Sequence, residues 1–389
     1  MNAWKSIVDG AFWFGGHETL LKQNLQELTF RSTDALADKI KSFPSDVLIY
    51  GAGGGGGVTL RLLRDYSVEP TAFIDRNAER IGSKDGLPVY HPSSSSVSES
   101  VKKKAVVLLA ITLRKKEREQ IMNDLRAWGY VNILDAQELN AMAVNFSDNA
   151  STWEQNINNA SRTLELMADE ESMETFTSGI LAHASRDYDA CFETDEESQY
   201  FLKKVPFSKG FSRFVDCGAY TGDTMRKWMT HCDAPEAYVG FEPMLPVYEK
   251  LSQEAEHFTD KVKACLLFPC AVGNQNTISG LDDDSPGSAS VTNDGVLKIP
   301  VVRIDDALKV FAPTFIKMDI EGAEIDALLG ARNTITRYKP DLAICVYHAI
   351  NHYWDIPLLL DSWNLGYKFY LRAHSSATME TVLYAVQED

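Results

Sequence analysis

Phe214-Val-Asp-Cys-Gly-Ala-Tyr-Thr-Gly-Asp-Thr224 reads as a short apolar strand that ends in a carboxylate, turns on Gly218 and Gly222, and opens into a helix. Roughly twenty residues past Gly222, Ala237-Tyr-Val-Gly-Phe-Glu242 reads as a second strand that also ends in an acid, the layout of a nucleoside-binding βαβ unit. The glycines let the backbone approach a ligand closely, and Glu242 can accept from both ribose hydroxyls. The turn is not the G-x-G-x-x-G of a dinucleotide site. Asp216 stands where a pyrophosphate would come close, and would repel it. A carboxylate there suits a ligand with positive charge, such as the sulfonium and amino groups of S-adenosylmethionine.

Further strands follow this unit to the C-terminus: Lys263-Ala-Cys-Leu-Leu267, Phe315-Ile-Lys-Met-Asp319, Leu342-Ala-Ile-Cys-Val-Tyr347, Tyr367-Lys-Phe-Tyr-Leu371 and Thr381-Val-Leu-Tyr-Ala-Val386. Helices fit between most of them. Met225, Trp228 and Met229 form one apolar helix face, and Ile325, Leu328 and Leu329 another. Only a short loop near Ser375 and Ser376 separates the last two strands. A parallel crossover needs a dozen or more residues, so these two form an antiparallel hairpin. A mostly parallel sheet ending in such a hairpin predicts a class I methyltransferase fold rather than a dehydrogenase.

A second α/β pattern precedes it. Asp46-Val-Leu-Ile-Tyr50 runs into Gly51-Ala-Gly-Gly-Gly-Gly-Gly57, which matches G-x-G-x-x-G at Gly51, Gly53 and Gly56. A helix with Leu60, Leu62 and Leu63 follows, then a strand ending at Asp75. Val106–Ile111 is continuously apolar, as buried parallel strands are. Ile121, Leu125 and Trp128 recur at helical spacing, and Val131–Asp135 closes the unit. The expectation is two Rossmann-like α/β domains: residues 1–139 with a core at 42–136, a helical linker at 140–195, and the methyltransferase-like domain at 196–389. Gly51, Gly53, Gly56 and Asp75 form a candidate nucleotide site, although such glycines also serve tight strand-to-helix packing. Gly82-Ser-Lys-Asp-Gly-Leu-Pro-Val-Tyr90 is similar to a piece of the N-terminal domain of sugar-modifying acyltransferases.

Of the 389 residues, 44% are hydrophobic and 24% charged, ordinary values for globular chains. The net charge of −17, from 55 acids against 38 bases, disfavours long-range attraction to nucleic acid or to anionic membrane. The six cysteines are Cys191, Cys217, Cys232, Cys265, Cys270 and Cys345. They show no CxxC spacing and fit free thiols in a reducing compartment. No apolar run reaches the ~18 residues of a membrane span, and the N-terminus lacks the basic and apolar regions of a signal peptide. A cytoplasmic enzyme with a small-molecule partner is expected; homo-oligomer formation is left open.

Residues 180–389 resemble the FkbM-family methyltransferases. The resemblance rests on Ile316-Lys-Met-Asp-Ile-Glu-Gly-Ala-Glu324, followed by Leu329-Gly-Ala331 and Lys339-Pro340. Val215–Ala219, Gly240-Phe-Glu-Pro243, Ala271-Val-Gly273 and Arg303-Ile-Asp-Asp-Ala-Leu308 support it. The family turn often has Asn after Gly-Ala, where this chain has Tyr220. The resemblance implies S-adenosylmethionine as donor and O-methylation of a sugar, nucleotide sugar or related metabolite. Carried onto this chain, Asp216, Gly218 and Gly222, with Ala219, Tyr220, Asp223 and Thr224, shape the methionine end of the cofactor site. Glu242 binds ribose, Pro243 lies in the Phe241–Met244 stretch flanking adenosine, and Cys270, Ala271 and Val272 form the adenine wall.

Methyl transfer to a hydroxyl gains from a general base beside the cofactor. Asp319, at a strand's end, is the first candidate, with Glu321 close behind it. Lys317, two residues before Asp319, shares its side of the strand and can pair with a carboxylate. His348 is a second base candidate through its intermediate pKa. Glu324 suits a helix N-terminus, where acids complement the dipole. His352, Tyr353 and Trp354 are candidates for an acceptor pocket, and the 282–290 stretch for a loop that closes over it. No metal site is assigned; a divalent ion on Asp319 and Glu321 is the less favoured alternative. Two other readings remain in competition. One is an NAD-dependent sugar oxidoreductase working at Gly51–Gly57, and the other a non-catalytic nucleotide-sugar-binding protein.

Overall fold

The computed structural model describes residues 40–44, 46–111, 115–136, 150–185, 199–282, 290–292, 297–375, 378 and 380–387. They fall into two compact units, one within 22–155 and 181–191, the other within 156–180 and 192–389.

The first unit is a six-stranded sheet. Its strands are β1 (Val47–Tyr50), β2 (Ala72–Ile74), β3 (Ser83–Lys84), β4 (Leu87–Tyr90), β5 (Val106–Leu109) and β6 (Asn132–Asp135), in the order β3-β4-β2-β1-β5-β6. All neighbours are parallel except β3 and β4, which pair as a small antiparallel hairpin. β1, β2 and β5 are buried on both faces, which is why they read as unbroken apolar runs. Helices α1 (Gly54–Asp65), α2 (Ala78–Ile81), α3 (Glu99–Lys104) and α4 (Lys115–Ala127) alternate with these strands. The helical stretch that follows contains α5 (Ala150–Leu164) and α6 (Glu170–Ser185). Both cross from one unit to the other, so the expected linker is divided between them.

The second unit is built on a seven-stranded sheet of β7 (Arg213–Cys217), β8 (Ala237–Phe241), β9 (Ala264–Phe268), β14 (Phe315–Met318), β15 (Asp341–Cys345), β16 (Tyr367–Ala373) and β17 (Thr381–Gln387). Its order is β16-β17-β15-β14-β7-β8-β9. Six strands run in one direction, and β17 alone runs against them, pairing antiparallel with both β15 and β16. This is the mostly parallel sheet with a terminal hairpin that the spacing predicts. A second sheet of β10 (Ala271–Val272), β11 (Thr277–Asp282), β12 (Ser290–Thr292) and β13 (Leu297–Val302) was not expected; its order is β10-β13-β11-β12. Two of its strands are only two and three residues long, and β13 carries Leu297, Lys298 and Pro300 exposed, so they leave a weak apolar pattern.

The helices of this unit are α7 (Asp223–His231), α8 (Leu245–Glu256), α9 (Ile304–Ala307), α10 (Glu324–Gly330), α11 (Arg332–Tyr338) and α12 (His352–Ser362). α7 starts where Gly222 takes φ 83°, a left-handed conformation that glycine adopts without penalty. Under the sheet, Phe214 stacks on Tyr238 with centroids 6.0 Å apart and on Phe315 at 5.1 Å. Trp228, fully buried on α7, donates its indole N–H to Phe211 O at 2.6 Å.

The part of the linker within this unit packs on the hairpin side. Arg372 on β16 is buried, and its guanidinium donates to both oxygens of Asp169, at 3.2 and 2.6 Å, and to Ser172 Oγ at 2.8 Å. Such a fork fixes geometry as well as charge. Thr163 Oγ1 donates to Trp354 O, and Ser172 Oγ accepts from Leu371 N.

Gly330 marks the closest approach between α10 and the small sheet. A Cβ there would sit 1.9 Å from Gly273 O. Its helical backbone suits alanine, so the steric cost is isolated. Gly330→Ala is expected to lose on the order of 1–3 kcal/mol by overpacking. Urea unfolding measures this, and an unchanged midpoint would show that the two segments can separate freely.

Candidate functional site

Strand connections run in opposite directions on either side of β7 and β14, and ligands of α/β sheets bind at the carboxyl edge of such a switch point. A cavity of about 280 Å³ opens there. Gly218, Tyr220, Asp223, Thr224, Glu242, Pro243, Cys270, Ala271 and Val272 line one part of it. Lys317, Asp319, Glu321, Tyr200, Tyr347 and Glu380 line another. Asp216, Ala219, Gly222 and His348 are not among the lining residues.

The turn after β7 is shaped by close approach. A Cβ on Gly218 would lie 1.9 Å from Asp319 O, and its φ is 79°. Only glycine lets the β7 and β14 ends meet this closely. Tyr220, where the family often has Asn, also has positive φ, at 46°, and its side chain is exposed. Glu242 is 6% exposed; one carboxylate oxygen accepts from Tyr220 N at 3.1 Å and the other from Met244 N at 2.9 Å. Burial pushes its carboxyl pKa up, and these two backbone donors only partly offset that. The second strand's acid is thus held in place at the cavity wall.

Asp216 departs from its expected place. It is fully buried, with Oδ1 3.0 Å from Lys317 Nζ and Oδ2 accepting from Tyr238 Oη at 2.6 Å. Asp216 and Lys317 are direct register partners on β7 and β14. Lys317 Nζ also donates to Gly218 O at 2.7 Å. Burial opposes the ammonium charge, but Asp216 and then Asp319 overcome it, and the Lys317 pKa rises. The strand-tip carboxylate is therefore matched by an internal cation rather than left bare for a ligand. Lys317 ties the turn to the sheet.

Asp319 is oriented from two sides. Tyr200 Oη donates to Oδ2 and Tyr347 Oη to Oδ1, both at 3.1 Å. Glu321 stands beside it with φ 56°. Burial pushes its pKa up to about 6, against the pull of His348. Glu324 opens α10 fully buried, and its carboxylate accepts from Ile320 N and from His348 Nδ1, at 3.0 and 2.9 Å. Burial disfavours its charge, yet the hydrogen bond from His348 and the nearby His352 ring, with Nδ1 3.3 Å from Oε2, hold its pKa far below the usual range.

The same contacts bear on His348, the second base candidate. Burial works against its charge, but Glu324, Asp319 and Glu321 raise its pKa to about 9. His352, Tyr353 and Trp354 are buried in α12 rather than lining the cavity. Tyr353 Oη donates to Thr381 Oγ1 at 3.2 Å.

Tyr347 and Glu380 had no place in the expected site. Tyr347 follows β15, and Glu380 sits in the β16–β17 connection, where Gln199 Nε2 donates to it at 2.7 Å. Tyr200, ahead of β7, reaches Asp319 directly. Most of the 282–290 loop and Cys191 lie outside the described residues. The five described cysteines are free thiols. Among the described residues no cluster of three or more His, Cys, Asp or Glu is arranged to hold a metal ion. No helix of the described residues is long and apolar enough to cross a membrane.

In the first unit, Asp75 Oδ2 accepts from Ala52 N at 2.8 Å and Oδ1 from Asn77 N at 2.7 Å. A Cβ on Gly56 would lie 2.0 Å from Gly51 O. Gly56 is thus required by packing, and Asp75 clamps the turn itself. Gly53 has open space beside it.

Residues 216–369 match the model of the methyltransferase FkbM domain. The matched stretch runs from the end of β7 into β16. The crystal structure of methyltransferase FkbM from Methylobacillus flagellatus KT superposes with a TM-score of 0.67 at 22% identity. That match covers 98% of this chain and 100% of the other, so the fold is shared beyond the FkbM domain. Fibrillarin from Aeropyrum pernix, with bound S-adenosyl-L-methionine, aligns at TM-score 0.29 and 12% identity over 48% of this chain and 70% of its own. The Podospora anserina methyltransferase PaMTH1, with bound SAH, aligns at 0.28 and 10% identity, over 71% and 97%. No curated protein sequence matches the chain.

Within the stretch that matches the FkbM model, the Asp216–Lys317 pair makes a direct prediction. Lys317→Met leaves a carboxylate buried without its cation, which costs about 3–5 kcal/mol. Chemical unfolding should show that loss in the absence of any ligand. Wild-type stability would mean that Lys317 serves the cavity and not the sheet.

Proposed function

We propose that this methyltransferase uses S-adenosylmethionine and methylates a hydroxyl of a sugar, nucleotide sugar or related metabolite. The observation that carries the reading is Glu242. Its carboxylate is fixed by two backbone amides at the end of the second parallel strand, in the place suited to a ribose. The cavity fits such a donor in other respects. Gly218 leaves no side chain in the way, and five acids (Asp223, Glu242, Asp319, Glu321 and Glu380) line the cavity against the one base Lys317, itself paired to Asp216. Glu242, Asp223 and the Cys270–Val272 wall would hold the donor.

S-adenosylmethionine supplies a methyl group already activated by a positively charged sulfur. Alignment of an acceptor hydroxyl then contributes much of the rate. Glu321 suits the role of general base, since a carboxyl with a pKa of about 6 is both ionised and basic near neutrality. Asp319, fixed by Tyr200 and Tyr347, can accept a hydrogen bond from the same hydroxyl and orient it. The five free thiols favour a reducing, cytoplasmic setting.

Calorimetry with S-adenosylhomocysteine tests the donor site. Binding is expected, and Glu242→Ala should weaken it on the order of a hundredfold by removing charge-assisted hydrogen bonds. Binding of NAD in its place would refute the reading. Labelled methyl transfer to a panel of free and nucleotide-linked sugars tests the acceptor class. A base must be deprotonated to act, so transfer should rise with pH through about 6 and be lost below it. Glu321→Gln should abolish that limb along with most of the rate.

A further inference from the structure

We infer that His348 is a positioning residue for this transfer: a buried cation, anchored by Glu324, that fixes Glu321 as an anion at the cavity wall. The inference rests on the methyltransferase reading of the cavity and adds a residue that does not touch it.

β14 and β15 are parallel neighbours, so the loops that leave them lie side by side. One carries Asp319 and Glu321 and leads into Glu324; the other carries Tyr347 and His348. The His348 side chain is 6% exposed. Its Nδ1 donates to Glu324 Oε1 at 2.9 Å, and Glu324 is itself fully buried at the start of α10. That bond leaves Nε2 aimed the other way, 3.4 Å from Asp319 Oδ1 and 3.6 Å from Glu321 Oε2. Nε2 makes no hydrogen bond. Its effect on the two cavity acids is therefore exerted by charge, which leaves their oxygens available to a ligand.

The groups facing His348 come from every element around it. Asp319, Glu321 and Glu324 face it from the β14 side, and Tyr347, with ring centroids 4.1 Å apart, from its own loop. His352 of α12 shares Glu324, with Nδ1 3.3 Å from Oε2. Glu380 feels the His348 charge from the β16–β17 connection. Carboxylates outnumber cations in this set. Without His348, Glu321 would face Asp319, Glu324 and Glu380 uncompensated, and would hold its proton to higher pH. Glu324 is sealed from the cavity and serves as the anchor that keeps the ring charged.

Two measurements test this. In the transfer assay, His348→Gln should move the acid limb upward by about 1–3 pH units, the usual effect of removing an opposite charge at this range. S-adenosylhomocysteine binding should be retained, and His348→Lys, which restores a cation, should bring the limb back toward its original place. A purely structural role would lower stability without moving the limb. Independently of any acceptor, proton NMR of the eight histidines should show one ring titrating near 9. That signal should vanish in His348→Gln and move to lower pH in Glu324→Gln. An unmoved limb in a His348→Gln protein that still binds S-adenosylhomocysteine would overturn the inference. So would an ordinary midpoint near ~6.5 for the His348 ring. Failure of wild-type protein to bind S-adenosylhomocysteine would instead count against the donor reading, and the NMR result would still decide the state of His348.

Discussion

The buried ion pair between Asp216 and Lys317 organises the site. It joins the two central strands of the sheet at the switch point, and its two residues are register partners. Both charges are out of solvent, so each is tolerated only because the other is present. Lys317 also holds Gly218 O, and Gly218 in turn lies against Asp319 O too closely for any side chain. One cation therefore sets the separation of the two strand ends between which the cavity opens. It also removes Asp216 from the set of groups a ligand can meet.

With Asp216 neutralised, the electrostatics of the cavity shift to the next shell of acids. Glu242 faces one end; Asp319, Glu321 and Glu380 face the other. Each is restrained differently. Backbone amides hold Glu242, two tyrosine hydroxyls hold Asp319, and a buried imidazolium stands behind Glu321. The wall is thus anionic and largely preorganised, which is what a cationic donor and a hydroxyl awaiting deprotonation both require. Flexible surface acids would have to pay the cost of ordering during each turnover.

Much of the fold was legible in the chain because buried parallel strands announce themselves as apolar runs, as at Val106–Leu109, Ala237–Phe241 and Leu342–Cys345. The terminal hairpin followed from the shortness of the connection near Ser375. The small sheet was missed because its exposed faces and its Pro300 blur the alternation. Within the site, Glu242, Gly218, Asp319 and Glu321 stood out as strand-end acids and turn glycines. Lys317 was expected to pair with a carboxylate, but which one depends on the register between strands far apart in sequence. Tyr200, Tyr347 and Glu380 reach the cavity only through tertiary folding, and no local pattern marks them. His348 was found by position, but the three carboxylates that converge on it from another loop leave no local pattern around it.

The most direct test of this account is a crystal structure of the full chain grown with S-adenosylhomocysteine. It should place the ribose hydroxyls on the Glu242 carboxylate and the adenine against Cys270–Val272, with Asp216 still paired to Lys317. A ligand bound through Asp216 after Lys317 has swung away, or an empty cavity at saturating ligand, would contradict it.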